Sequence, residues 1–145
     1  MRIFKIISLL GLAILFSYCG RTYEGKVEQA HHDGTPRVIS YYATDEPDVL
    51  VRQKHYYRNG QLRIDGFFKD GEKDGKWTYY YEDGTLWSEG YFKKGKIDGK
   101  NKSYHPNGKL AVKGSFDEGD RIGKWYYYKD DGSLEKEVDY DELVP

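Results

Sequence analysis

The sequence predicts an all-β protein: an elongated antiparallel β-meander or solenoid built from 24-residue hairpin repeats. Three observations support this prediction. Glycines recur every 24 residues, and a fixed period of this length is typical of repeat arrays. Aromatic residues, which suit a pleated sheet, recur in register from unit to unit. No window shows the 3.6-residue apolar spacing of an amphipathic helix. The periodic glycines are Gly60, Gly84, Gly108 and Gly132.

Residues 1–18 have the pattern of a signal peptide. Arg2 and Lys5 form a short basic region, and the apolar stretch 6–16 follows. Because a helix needs about 20 apolar residues to cross a bilayer, this stretch is too short for a transmembrane span. Cys19 is the only cysteine, and its surroundings resemble a bacterial lipobox, in which the cysteine is lipidated and the peptide is cut just before it.

A lipobox at Cys19 implies a lipoprotein that is held in the cell envelope by its N-terminal lipid. Phe16 and Tyr18 depart from the usual lipobox residues, so a secreted protein with one spare thiol and an uncleaved anchor remain alternatives. Gly20 is not the aspartate that retains enteric lipoproteins at the inner membrane, so the resemblance favours the outer membrane. It leaves open whether the domain faces the periplasm or the cell surface.

The composition argues against a nucleic-acid partner and points to an aromatic core. The chain has 23 Lys and Arg against 24 Asp and Glu. Loss of Arg2 and Lys5 with the signal peptide leaves 21 against 24, a net charge of −3. Nucleic-acid binding rests on a basic surface, which this balance does not favour. The 15 Tyr and three Trp are each able to bury a large area.

Residues 19–50 are expected to form the lipidated tether and a degenerate repeat. The run Asp-Gly-Thr-Pro at 33–36, followed by the strand-like segment 37–42, looks like a decayed hairpin unit. Its glycine precedes Gly60 by 26 residues instead of 24. The acidic run 45–48 then interrupts the array.

Residues 51–145 are expected to form the regular repeat domain, with a charged C-terminal cap from residue 139 onward. Each unit has two strand-like runs around an Asn-Gly or Asp-Gly pair, as in 76–81 and 85–92 around Gly84. Such pairs supply the positive φ that tight hairpin turns require. The segment 93–99, which contains two glycines, predicts a looser link between successive hairpins.

The repeated unit Gly-Lys-Trp-x-x-Tyr-Tyr-x-x-Gly-x-Leu-x-x-x-Gly-x-Phe-x-x-Gly resembles MORN repeats, in particular their bacterial variant class. The resemblance covers residues 51–140 well and residues 24–50 poorly. It implies an elongated, twisted, single-layer antiparallel sheet, and it does not imply one function. MORN arrays serve as protein-binding scaffolds, dimerisation modules and proposed phospholipid binders, and some bacterial members are described as antitoxin-like.

No arrangement of residues predicts catalysis, a cofactor or a metal site. Most carboxylates fall in turns, where they stabilise loops. His31 and His32 lie in the poorly repeated region, which favours a solvated loop over a metal site. His55 and His105 replace tyrosines of neighbouring units, so they are interpreted as strand residues rather than as ligands or bases. We therefore expect a non-enzymatic protein.

The aromatic residues outnumber what one face of a thin sheet can bury, because neighbours along a strand point to opposite sides. They form either the core or an exposed surface for a protein, a glycan or lipid head groups. Lys100-Asn101-Lys102-Ser103 replaces the aromatic-rich Lys76-Trp77-Thr78-Tyr79 of the preceding unit and predicts a polar strip between two aromatic strands. Tryptophans on the two sides of this strip would stand about 19 Å apart if they share a face. The candidate binding surface consists of Trp77, Trp87, Lys100, Lys102 and Trp125.

The expected function is that of an envelope lipoprotein whose sheet serves as a scaffold for another envelope protein. One alternative is a carbohydrate or cell-wall binder, because residues 123–133 look like the hairpins of choline-binding repeats, although those repeats have a shorter period and a further Gly-Trp step. Another alternative is an immunity or antitoxin-like protein against a toxin delivered to the envelope.

Overall fold

The computed structural model describes residues 14–18 and 21–143, and side chains from residue 22 onward. These residues form one open antiparallel sheet of twelve strands and contain no helix. The strands are β1 Ile14–Tyr18, β2 Arg21–Ala30, β3 Pro36–Ala43, β4 Leu50–Tyr56, β5 Leu62–Lys69, β6 Glu72–Tyr80, β7 Leu86–Lys93, β8 Lys96–Ile97, β9 Gly99–Tyr104, β10 Leu110–Asp117, β11 Asp120–Tyr128 and β12 Leu134–Asp139.

The strands follow one another across the sheet in the order of the sequence. β1 to β7 and β9 to β12 form a continuous meander, and the two-residue β8 pairs with the end of β7. The predicted all-β meander of hairpin repeats is confirmed. Most of the predicted signal peptide and the predicted lipidation site Cys19 lie outside the described residues, although β1, at the end of that peptide, pairs with β2.

The Asn-Gly and Asp-Gly turns are wider than the sequence suggested. At Asn59-Gly60 only the glycine has a positive φ, +82°. The Gly60 N–H donates to the Tyr57 carbonyl at 3.0 Å, and the Tyr57 N–H donates to the Gln61 carbonyl at 2.9 Å. Asn59 has no positive φ, and its Oδ1 accepts the Gln61 N–H at 2.9 Å. This local hydrogen bond stabilises a turn in which only the glycine is left-handed.

The tightest turns lie at the other end of each hairpin, so the prediction of a looser link there was wrong. Asp70 and Gly71 have φ values of +53° and +80°, and they connect the paired residues Lys69 and Glu72. Two successive residues of positive φ define the two-residue type I′ hairpin. The same geometry recurs at Lys94-Gly95 and Glu118-Gly119. The sequence therefore folds into a uniform meander in which two turn types alternate.

One residue near the start of every second strand has no partner in the register. This β-bulge recurs at the same place in successive units and re-aims the side chain of the extra residue. In β7, for example, Ser88 pairs with Tyr79 and Leu86 with Tyr80, which leaves Trp87 between them. The bulge residues are Arg37, Arg63, Trp87, Ala111 and Glu135.

The sheet has two chemically different faces. We call the face that carries Trp77 and Trp125 the tryptophan face, and the opposite one the ion-pair face. Register places Gly66, Trp77 and Gly90 in one row of the tryptophan face. The most buried hydrophobic residues are few, as a single-layer sheet requires: Val38, Ile39, Tyr41, Ala43, Trp77 and Trp125.

Candidate functional site

Each buried tryptophan lies over a glycine of the preceding strand. A Cβ atom added to Gly66 would lie 2.2 Å from the Trp77 ring, so only glycine leaves room for the indole. The indole N–H donates to the Phe67 carbonyl at 3.0 Å. The rings of Phe68 and Phe92 lie 5.3 and 5.7 Å from that of Trp77, centroid to centroid. Trp77 is only 4% exposed, which makes it a core residue.

Trp125 repeats this arrangement in the last unit. It packs on Gly114, its N–H donates to the Ser115 carbonyl at 3.2 Å, and Phe116 and Tyr140 flank its ring at 4.9 and 5.9 Å. A cation also covers each indole: Lys73 Nζ lies 4.1 Å from the Trp77 ring, and the Arg121 guanidinium carbon lies 4.5 Å from the Trp125 ring. Both tryptophans therefore hold neighbouring hairpins together.

The unit between the two tryptophans departs from this pattern. Asn101 lies opposite Gly114 and occupies the tryptophan position. A Cβ atom added to Gly90 would meet the Asn101 amide at 2.7 Å, and Ile97 stands where the two neighbouring units have Lys73 and Arg121. This unit, which contains β9 and β10, is the third of the regular units, and we call it the third unit. It lacks the indole, and a short polar side chain packs in its place.

Cross-strand ion pairs repeat along the opposite face. Lys76 Nζ lies 2.7 Å from Glu89 Oε2, and Lys124 Nζ lies 2.6 Å from Glu137 Oε1. Arg52 forms a bidentate ion pair with Asp65: its Nε donates to Oδ1 at 2.7 Å, and its Nη2 donates to Oδ2. The hydrogen bond from Lys76 lowers the pKa of Glu89, and the hydrogen bond to Asp65 raises the pKa of Arg52.

The third unit also breaks the series of ion pairs. Lys100 occupies the basic position, but Lys113 stands where the other units have Asp65, Glu89 or Glu137. Lys102 pairs in register with Glu89 and Lys113. The Lys113 Nζ lies over the rings of Tyr126 and Tyr128, at 4.7 and 5.7 Å. Three lysines therefore occupy a stretch of the ion-pair face where the other units balance their charges.

The structure does not bring the five predicted binding residues into one groove. Trp77 and Trp125 share a row of the tryptophan face, but both are buried. Lys100 and Lys102 are exposed and flank Asn101, so strand alternation places them on the ion-pair face. Trp87 lies on the tryptophan face and is 49% exposed.

Trp87 owes its exposure to the bulge. Its ring lies 6.1 Å from that of Tyr79 and 6.1 Å from that of Tyr81, centroid to centroid, and half of the residue is open to solvent. The hydroxyl of Tyr81 donates to the Tyr104 carbonyl at 2.9 Å, which ties the platform to the next hairpin. We call Tyr79, Tyr81 and Trp87 the aromatic platform.

Two of the histidines have the same structural role as tyrosines of other units. His105 Nε2 lies 2.8 Å from the Tyr128 carbonyl, just as the Tyr57 hydroxyl donates to the Tyr80 carbonyl at 2.8 Å. His31 makes the equivalent contact with the Tyr56 carbonyl at 3.2 Å. These bonds connect each turn to the next along one side of the sheet.

The tryptophan face also contains a basic pocket that the sequence did not predict. It has a volume of about 270 Å³, and Arg37, Gln53, His55 and Arg63 are among its lining residues. His55 Nε2 lies 2.8 Å from Gln53 Oε1. Burial, and secondarily the positive charges of Arg63, Arg37 and Lys73, lower the pKa of His55. Comparison of residues at the bulge position would have drawn attention to Arg63, but the bulge is not visible in the sequence.

Residues 14–18 and 21–143 contain neither a group of three or more His, Cys, Asp and Glu side chains that could hold a metal ion nor a helix that could span a membrane. The turn carboxylates instead bind their own loops. Asp83 Oδ1 accepts the Thr85 N–H at 2.8 Å, and Asp131 accepts the Ser133 N–H at 2.7 Å. The bond from the Thr85 N–H lowers the pKa of Asp83, and the bonds from the Ser133 hydroxyl and then its N–H lower the pKa of Asp131.

A comparison with known families matches the hairpin units one by one. The family model described as the MORN repeat variant matches residues 51–70, 73–94, 97–118 and 121–142. No curated protein matches the chain. MORN repeats commonly bind proteins or membranes. The four matches cover more than half of the chain and coincide with the regular part of the meander, so this protein belongs to the MORN repeat variant family.

Proposed function

We propose that this protein is a non-enzymatic scaffold that binds another protein of the cell envelope through the tryptophan face of its sheet. The observation that carries the proposal is the aromatic platform, where Trp87 is 49% exposed between two tyrosines. Exposed tryptophan and tyrosine clusters are the usual anchors of protein interfaces, because they bury a large area at a small cost in side-chain entropy.

The repeat architecture supports this proposal. Adjacent hairpins are held by Trp77, Trp125 and turn-to-turn hydrogen bonds, so the platform stands on a well-supported sheet. A preorganised surface loses less conformational entropy on binding. The turn carboxylates hydrogen-bond their own loops, which favours a non-catalytic role.

The proposed location is the envelope, with the outer membrane favoured and with Cys19 as the lipid attachment point. Cleavage before Cys19 would remove β1 and make β2 the edge strand of the mature sheet. We expect the wild-type protein to begin at Cys19 and to carry the mass of a lipid, and a Cys19→Ser variant to keep its signal peptide and to lack that mass. Mass spectrometry of both purified proteins tests this. Equal cleavage of the two proteins, with no lipid mass on the wild type, would contradict lipidation.

Site-specific photo-crosslinking in intact cells tests the scaffold role. A photoreactive phenylalanine analogue replaces Trp87, and the same analogue at Tyr91 is the control, because Tyr91 is similarly exposed at 47%. Tyr91 neighbours Gly90 and so lies on the ion-pair face. We expect one specific protein adduct from position 87 and none from position 91. No adduct from either position, or an adduct from position 91 alone, would contradict the proposal.

A carbohydrate or cell-wall ligand is the second candidate, and the same platform favours it. The exposed ring of Trp87 beside Tyr79 and Tyr81 offers a flat apolar surface with polar edges, on which a sugar ring can stack. In this case solubilised cell-wall polysaccharide should change the tryptophan fluorescence of the wild-type chain and not that of a Trp87→Ala variant. A protein scaffold without affinity for glycans predicts no change in either.

A further inference from the structure

The basic pocket shares no residue with the aromatic platform and carries an inference beyond the scaffold role. Arg37 and Val38 come from β3, Gln53 and His55 from β4, Arg63 from β5. Its volume of about 270 Å³ lies just below the range of about 300–1,000 Å³ that is typical of ligand pockets. The space therefore suits a small ligand or one functional group of a larger one.

Two β-bulges aim the pocket's arginines. Val38 pairs with Gln29 and Pro36 with Ala30, which leaves Arg37 as the extra residue. Arg63 is the extra residue of the next unit, between Leu62 and Ile64. Because Val38, His55 and Ile64 form one row of the sheet, the two arginines flank the row at His55 from both sides. The fold thus places two guanidinium groups around one imidazole.

Neither guanidinium group is paired with an acid in the part of the chain that the structure describes. There, neither Arg37 nor Arg63 forms an ion pair with a carboxylate, and the Arg63 guanidinium carbon lies 5.6 Å from the centroid of the Tyr57 ring. The pocket lining contains no Asp or Glu. By contrast, Arg52 on the opposite face is paired with Asp65, and Arg58 in the nearby turn with Asp33. The pocket therefore keeps an uncompensated positive charge.

The remaining polar groups of the pocket are already positioned. His55 Nε2 lies 2.8 Å from Gln53 Oε1, and Gln53 Nε2 donates to the buried Ser40 hydroxyl at 3.0 Å. This chain of hydrogen bonds sets the orientation of the imidazole and leaves its other nitrogen available to a ligand. The neighbouring charges that act on His55, those of Arg63, Arg37 and Lys73, are all positive.

We propose that this pocket binds a small oxyanion, the phosphate or carboxylate group of a small ligand, between Arg37 and Arg63 with His55 at its base. Guanidinium groups recognise such oxygens through paired N–H donors, and two of them on opposite sides define both charge and geometry. A bound anion adds negative charge beside an imidazole that now faces only cations, so His55 gains a proton more readily in the complex.

Nuclear magnetic resonance of His55 tests the proposal directly in the purified folded chain. The His55 ring signals are followed while inorganic phosphate or acetate is added at constant ionic strength, with chloride as the reference salt. We expect a saturable shift with a dissociation constant on the order of 1 mM for at least one probe, and a rise in the pH midpoint of His55. The probe that binds more tightly shows whether the pocket prefers a phosphate or a carboxylate group.

Three variants distinguish binding in the pocket from nonspecific attraction of anions to a positively charged surface. The double variant R37Q/R63Q should weaken binding at least about tenfold, and R37K/R63K should fall between it and the wild type because lysine retains the charge and loses the paired donors. The matched control R58Q removes one positive charge outside the pocket and should bind like the wild type. Circular dichroism checks that each variant is folded.

Three outcomes would overturn the proposal. The first is the absence of a saturable His55 shift with both probes. The second is equal binding by the wild type and R37Q/R63Q, and the third is equal weakening by R58Q and R37Q/R63Q. The scaffold role is tested at position 87 on another strand, so failure of one proposal leaves the other standing.

Discussion

At the scale of single residues, the tryptophan–glycine pairs are the clearest packing constraint in this protein. Trp77 and Trp125 occupy the space that a Cβ atom would need on Gly66 and Gly114, within 2.2 Å of the ring atoms in both cases. Neither glycine has a positive φ, so the requirement is one of space rather than of backbone conformation.

We therefore expect Gly66→Ala and Gly114→Ala each to lower the free energy of unfolding by about 1–3 kcal/mol, the usual cost of overpacking. Gly90→Ala is the matched control, because its nearest contact is the amide end of the flexible Asn101 side chain. It should cost less than either of the other two. Urea unfolding measures all three variants, and an equal cost at the three positions would contradict this account of the packing.

His55 makes a second residue-scale prediction, which concerns pH. Its pKa is lowered from 6.5 by burial and by Arg63, Arg37 and Lys73. Between the lowered pKa and 6.5 the unfolded chain binds more protons than the folded one, so stability falls as the pH decreases below about 6.5. Urea unfolding at several pH values should show this fall, and His55→Gln should reduce it. The exposed His32→Gln serves as the control, and an identical pH dependence in the two variants would refute the assignment.

At the scale of elements, the third hairpin departs from the units on either side of it on both faces. It has Asn101 in place of a tryptophan, Ile97 in place of a cation and Lys113 in place of an acid. The surroundings of Asn101 nevertheless match those of the two tryptophans. Gly90 still lacks a side chain, and Phe92 and Phe116 occupy the places of the flanking rings. The hairpin thus keeps the shape of the repeat and has lost its main packing group.

Asn101→Trp should therefore restore the missing contact and raise the free energy of unfolding by about 2 kcal/mol, through burial of the indole over Gly90. Lys102→Trp is the control, because it adds the same side chain to the exposed ion-pair face. Urea unfolding compares the two variants. A gain from Lys102→Trp as large as that from Asn101→Trp would show that the tryptophan position is not special.

At the scale of the whole molecule, the meander behaves as a one-dimensional array. Each hairpin pairs only with the hairpins before and after it, so stability is close to a sum of units and their interfaces. Removal of one complete unit should then leave a shorter sheet with the same internal contacts. Removal of half a unit would instead make β7 and β10 neighbours, although each is the second strand of its own hairpin.

Deletion of residues 97–120 removes one period of 24 and brings Gly90 opposite Trp125. We expect this variant to unfold cooperatively in urea, with a smaller denaturant slope because less surface is buried. Deletion of residues 97–108 removes only half a period and brings Lys113 instead of Asn101 opposite Gly90, so it should lose most of its cooperativity. Equal behaviour of the two deletions would contradict the additive repeat.

The fold and the family could be predicted from the sequence because their causes are local. Turn residues, aromatic alternation and the 24-residue period are all encoded within single units, and together they specify an antiparallel meander. The positions of Trp77, Trp87 and Trp125 within their units follow from the same period.

Only the tertiary structure decided which of those side chains are exposed and which lie together. A bulge shifts one strand against its partner by one residue, and this shift exposes Trp87 and brings Arg37 and Arg63 beside His55. Strand alternation across the register placed Lys100 and Lys102 on the face opposite the tryptophans. The period specifies the array, but exposure and proximity depend on pairing between strands, and pairing is a property of the folded sheet.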